Sequence, residues 1–200
     1  MAKYILIKGD IIKSKSFENF SKVFKEKVEQ LNYPEAVINK FEILKGDEIQ
    51  GVFKEDLDII KFLSKLRLGL LPLKIRLVIS IVEIETKNNL DSNNDLFKEL
   101  ESKLDYIGQH RYYKSYFIAA SDFADKSINT IMLLIDKLRY DWTKKDWKLY
   151  LDYADQQDFK AIAEKYNYKP DKIKSLSQKL GFEEILVSES NLEQLLKSEF

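Results

Sequence analysis

The residues of this sequence best suited to chemistry are Asp10, Asp47 and Glu48. Carboxylates crowded together repel one another, and burying them unpaired is costly. A hard divalent cation relieves that cost. Mg²⁺ takes one or two carboxylates, keeps several waters and completes its shell with substrate phosphates. A pair of such ions can steady both the attacking and the leaving oxygen of a phosphoryl transfer. Asp10, Asp47 and Glu48 are therefore the expected ligands of Mg²⁺ and, through it, of a nucleotide. Alternatively the acids serve only as turn formers, since Gly9-Asp10 and Gly46-Asp47 are ordinary turn dipeptides. Cysteine is absent and His110 is the single histidine, which excludes disulfides, thiolate chemistry, a Cys-based zinc site and multi-histidine metal centres.

A second candidate set lies near the C-terminus. From Lys165 to Lys179 the chain carries five lysines against Asp171 alone. The net charge of the whole sequence is zero, so no global field draws it onto nucleic acid and any contact must come from such a local stripe. Lys169, Lys172, Lys174, Ser175, Gln178 and Lys179 are the expected DNA-facing residues, with Ile173, Leu176 and Leu180 on the opposite, buried side. No arginine occurs in this segment, so phosphate contact is expected rather than guanine readout. A solvated lysine face or a protein-interaction unit would produce the same pattern.

The elements that must position these residues follow from hydrophobic periodicity. Tyr4 to Ile7 reads as a buried strand ending at Gly9-Asp10. Phe17, Phe20, Val23, Phe24, Val28 and Leu31 recur at helical spacing, with Ser16 as N-cap and Asn32-Tyr33-Pro34 as stop. Val37 to Leu44 and Ile49 to Phe53 read as strands around a Gly46-Asp47 turn. Leu57 to Leu70 is an amphipathic helix closed by Gly69 and Pro72. Ile75 to Ile84 is a fourth strand, Lys87 to Asn94 a loop, Leu96 to Ile107 a helix and Tyr112 to Ala120 a fifth strand. Ile128 to Leu138 is a connecting helix. Beyond Asp141 the helices are short: Lys144 to Tyr153, Asp158 to Tyr166, Asp171 to Leu180 and Asn191 to Lys197, with one further strand at Ile185 to Val187. Trp142 and Trp147 are expected to anchor this part by burial.

That order predicts an α/β (α+β) chain: a ferredoxin-like domain with an antiparallel sheet over 1–125, a connecting helix over 126–141 and a small all-α helix-turn-helix domain over 142–200. In the split order the end of the first strand lies beside the tip of the central hairpin, which brings Asp10 to Asp47 and Glu48. Gly9-Asp10-Ile11-Ile12 and Lys45 to Phe53 resemble the two metal-site motifs of class III nucleotide cyclases and the GGDEF palm. The chain resembles the SatD family over nearly its whole length, through Gly9-Asp10 with Ser14, Gly46-Asp47-Glu48-Ile49-Gln50-Gly51 and Trp142-Thr143. In that family the Trp-Thr segment leads into a helix-turn-helix. The resemblance implies a regulatory protein whose palm-like domain binds a ligand or metal and whose helical domain binds DNA. An Mg²⁺-dependent nucleotide cyclase or nucleotidyl-transfer enzyme and a protein-interaction module are the alternatives. Arg76 to Glu83 carries no glycine where cyclase-like palms have one. DNA, a nucleotide and a second copy of the chain are the expected partners. Neither signal peptide nor membrane span is expected, which places the chain in the cytoplasm.

Overall fold

The computed structural model describes residues 2–44, 46–84, 94–119 and 121–199. Strand β1 (Ala2–Ile11) is followed by a 3-10 turn at Ser14–Ser16 and helix α1 (Phe20–Glu29). A hairpin of β2 (Val37–Ile43) and β3 (Glu48–Lys54) leads to α2 (Ile59–Leu70) and β4 (Ile75–Ile84). Helix α3 (Asn94–Gly108) and the short β5 (Ser115–Ile118) complete the sheet layer. Five helices follow: α4 (Asp122–Leu138), α5 (Lys144–Gln156), α6 (Phe159–Tyr166), α7 (Pro170–Leu180) and α8 (Phe182–Glu199).

The strands form one sheet in the order β2-β3-β1-β4-β5. β1 lies between β3 and β4 and is antiparallel to both, while β2 and β3 pair as an antiparallel hairpin. This is the split βαββαβ arrangement, with β5 appended parallel to β4 at the edge. The period-2 alternation of β1 divides its side chains between two apolar layers. Ile5, Ile7 and Ile11 join Phe24 of α1 and Leu63 and Leu66 of α2 on one face. Leu6 joins Val52, Val78 and Leu100, Leu104 and Ile107 of α3 on the other.

Several helix starts are fixed by side-chain caps, which satisfy backbone N–H groups that have no partner within the helix. Asp58 accepts from Lys61 N–H at 3.1 Å and Ser121 from Ala124 N–H at 3.2 Å. Thr143 and Asp146 form a reciprocal capping box, and Asp158 caps α6. Among the described residues no helix is long and apolar enough to cross a membrane.

The structure corrects several local expectations. β1 does not end at Gly9-Asp10 but runs on to Ile11, so that dipeptide is strand and not turn. A Cβ at Gly9 would sit 2.7 Å from Leu77 Cδ2 and 2.8 Å from the Arg76 carbonyl oxygen, so the glycine serves close packing against β4. Gly46, by contrast, takes φ +59°, as a tight turn requires. Ser16 belongs to the 3-10 turn, and Asn19 occupies the N-cap of α1. Gly69 lies inside the last turn of α2, where its bare Cα admits Leu31. β5 is shorter than expected and α4 begins well before Ile128. Ile185 to Val187 is helical, within one continuous α8. Residues 87–93 of the expected loop lie outside the described residues, and Asn94 already opens α3.

Candidate functional site

The antiparallel register sets Asp10 of β1 opposite Glu48 of β3 and Arg76 of β4. Asp47 sits on the adjoining hairpin tip, where its carbonyl accepts the Ile11 N–H at 3.1 Å. Asp10, Asp47 and Glu48 thus converge at one end of the sheet, as the split strand order predicts. Each already has a protein partner. Asp10 Oδ2 accepts from Arg76 Nη1 at 2.9 Å, and Asp47 Oδ2 accepts from the Ser14 hydroxyl. Glu48 Oε2 lies 3.4 Å from Lys8 Nζ, a buried ammonium that also donates to Glu101 of α3 at 2.8 Å. A Cβ on Gly108 would lie 3.3 Å from Arg76 Nη1, so the end of α3 passes close over the guanidinium.

Burial pushes the Asp10 carboxyl above its usual range; Arg76 opposes the shift, while Asp47 and Glu48 reinforce it. Asp10 Oδ1 and Arg76 Nε are buried without a hydrogen-bond partner. Among the described residues no group of three His, Cys, Asp or Glu is disposed to hold a metal ion. Asp10 and Glu48 are thus held in ion pairs and Asp47 by a hydroxyl, while Asp10 Oδ1 keeps a lone pair that no protein donor uses.

At the other candidate site α6 and α7 are joined by Asn167, Tyr168 and Lys169. Asn167 takes φ +53°, Pro170 opens α7 and Gly181 closes it at φ +68°. Lys169, Lys172, Lys174, Ser175, Gln178 and Lys179 are all exposed, whereas Ile173 and Ser177 are buried and Leu176 and Leu180 half-buried. Among the described residues none of the four lysines in that set makes an ion pair. The turn is held from behind by Lys145 of α5, which donates to the Tyr168 hydroxyl and stands 4.5 Å from its ring centroid.

The SatD family model matches residues 4–198, that is, the sheet layer and the C-terminal helices together. The chain belongs to the SatD family. No curated protein and no solved structure matches it.

In this SatD-family chain the cations of the acidic end were not legible in advance. Arg76 and Lys8 stand in the sequence only as charges interrupting apolar strands, a pattern that also marks exposed edges. A second buried network went unseen because its members come from five elements. Arg67 of α2 lies 3.5 Å from Asp136 of α4 and donates to the Lys114 carbonyl and the Ser115 hydroxyl. Asp136 in turn accepts the Lys114 and Ser115 N–H groups at 2.8 and 2.7 Å. Arg139, just past α4, donates to Glu189 of α8 at 2.6 Å, and its guanidinium faces Trp142, Trp147 and Tyr150. Tyr150 also donates to Glu189. His110 is exposed and edge-on to Tyr106 and Tyr113.

Proposed function

We propose that this protein is a DNA-binding regulator, with α6 and α7 as a helix-turn-helix and α7 as the helix presented to the duplex. The observation that carries this reading is the division of α7. Five basic or hydrogen-bonding side chains, Lys172, Lys174, Ser175, Gln178 and Lys179, stand exposed on it, with Lys169 at its N-cap, while Ile173 and Ser177 seat the helix on the body. Lysines so displayed neutralise phosphates, and Ser175 and Gln178 can reach base edges. Helix-turn-helix proteins commonly read paired half-sites as dimers, so the reading includes a homodimer. It also implies a cytoplasmic protein.

The test is duplex binding followed by fluorescence anisotropy at several salt concentrations. Affinity should fall steeply with salt. Lys172→Ala with Lys174→Ala should flatten the slope by roughly one unit for each phosphate left without its lysine. Binding that is absent, or indifferent to both salt and the double substitution, rejects the reading in favour of an interaction module.

A second reading is favoured by Asp10 Oδ1, an acceptor left buried without a partner. Here Asp10, Asp47 and Glu48 take Mg²⁺ together with the phosphates of a nucleotide, with Arg76 released from Asp10 to the incoming anion. Isothermal titration with a nucleoside triphosphate should then give heat only when Mg²⁺ is present, and none in Asp47→Ala. No heat under any condition removes this reading and leaves the DNA proposal untouched.

A further inference from the structure

Where the sheet layer meets the C-terminal helices, a cavity of about 50 Å³ opens between the start of β4, the end of α4 and Trp142. Its charged lining is lopsided: Arg67, Lys74, Lys114 and Arg139 face a single carboxylate, Asp136. That carboxylate is already engaged, by two backbone N–H groups and by Arg67. Glu189 offsets Arg139 from outside the lining. Among the described residues the exposed Lys74 and the half-buried Lys114 have no carboxylate partner and donate only to backbone carbonyls, of Tyr140 and of Arg111 and Tyr113. Burial holds the Lys114 ammonium down to about 8; Asp136 opposes the shift, and Arg76, Arg67 and Lys74 add to it. Two buried donors on lining residues also lack any acceptor: Arg139 Nε and Trp142 Nε1. Arg139 is only 6% exposed and Trp142 only 4%. Buried donors without acceptors are costly.

An oxyanion answers both deficits at once. It supplies acceptors to the unpaired N–H groups and neutralises the excess charge through short, charge-assisted hydrogen bonds. The space corresponds to roughly three or four water-sized positions, enough for one tetrahedral oxyanion head and too little for a nucleoside. We infer that this cavity is a binding site for a doubly charged phosphate group, held by Lys114, Lys74, Arg139 and the Trp142 indole. The site is distinct from the acidic end of the sheet and does not depend on DNA binding.

The two indole N–H signals in a proton–nitrogen correlation spectrum test this directly, with Trp142→Phe identifying which belongs to Trp142. Inorganic phosphate should move the Trp142 signal saturably, while sodium chloride at equal ionic strength should not. Lys114→Gln, at a half-buried position, should weaken the apparent affinity roughly ten-fold or more, as expected when one charge-assisted hydrogen bond is removed. Lys74→Gln should weaken it in the same sense. Phenyl phosphate distinguishes the source: tighter binding than inorganic phosphate assigns the site to an organic monoester, equal or weaker binding to the free ion. A Trp142 signal that does not saturate, that follows chloride equally, or that responds identically in Lys114→Gln overturns the inference.

Discussion

At Gly9 a single missing methyl group sets how closely β1 and β4 can approach. A Cβ there meets the Arg76 carbonyl oxygen, a backbone atom that cannot rotate away. Gly9→Ala should therefore destabilise the fold by about 1–3 kcal/mol, read as a lower urea midpoint with unchanged slope. It should also disturb the Asp10–Arg76 pair beside it. Lys114 gives a prediction of a different kind. Its folded pKa is lowered to about 8, so above that pH the unfolded chain binds more protons than the folded one. Stability should consequently rise as pH climbs from about 8 towards the ordinary lysine value of 10.5. That gain should be absent in Lys114→Gln. Tyr113, Tyr116 and Tyr150 are all pushed up by burial and act oppositely once unfolded tyrosines ionise, so the gain is best measured below pH 10. Denaturant midpoints taken between pH 7.5 and 9.5 in both proteins decide the matter. The meeting of Asp10, Asp47 and Glu48 was legible because hairpin position and strand order follow from turn residues and periodicity. The pairing of Asp10 with Arg76 and of Glu48 with Lys8 was not, because cross-strand register depends on where each strand actually stops.

Element by element, what could be read from sequence tracks how strongly each segment alternates. β4 and the β2–β3 hairpin announce themselves through apolar alternation around a glycine turn, and α7 through Pro170 and Gly181. α8 was misread for a physical reason. Its Ile185-Leu186-Val187 run looks like a strand, yet Ile185, Leu192 and Leu196 are buried while Val187 is exposed, so helical packing overrides local β-propensity. Beside these apolar contacts, Glu189 links α8 to the body by accepting from Arg139 and Tyr150. Glu189→Leu would leave Arg139 charged and unpaired among aromatic rings, which should cost about 3–5 kcal/mol. Replacing both residues, Arg139→Met with Glu189→Leu, removes the stranded charge and should recover much of that loss. A double-mutant cycle by urea denaturation measures the coupling, and strictly additive losses would show that the ion pair does not hold α8 in place.

For the whole molecule, the decisive feature is that the core does not stop where the sheet ends. The expected division at 125/126 falls inside α4, and one cluster of buried residues runs from Ile5 and Leu77 through Ile128 and Ile135 to Trp147, Ile162 and Leu196. The buried Arg67–Asp136 and Arg139–Glu189 pairs stitch α2, α4 and α8 across the same boundary. A chain built this way should unfold as a unit, even though its sequence reads as a sheet domain followed by helices. Both tryptophans lie on the helical side, at its junction with the sheet layer, so their fluorescence reports the helices and that junction, whereas amide exchange at Ile5, Leu6 and Ile7 reports the centre of the sheet. The two should give the same unfolding free energy, and their denaturant transitions should coincide. A fluorescence transition at clearly lower denaturant would mean that the helices melt off an intact sheet. The distinction bears on regulation. A ligand at the sheet can alter α7 only if both ends share one cooperative body, because a site shifts an equilibrium elsewhere only through an element that both of them bias. Coincident transitions would supply that element, and separate ones would confine any ligand effect to the sheet on which it binds.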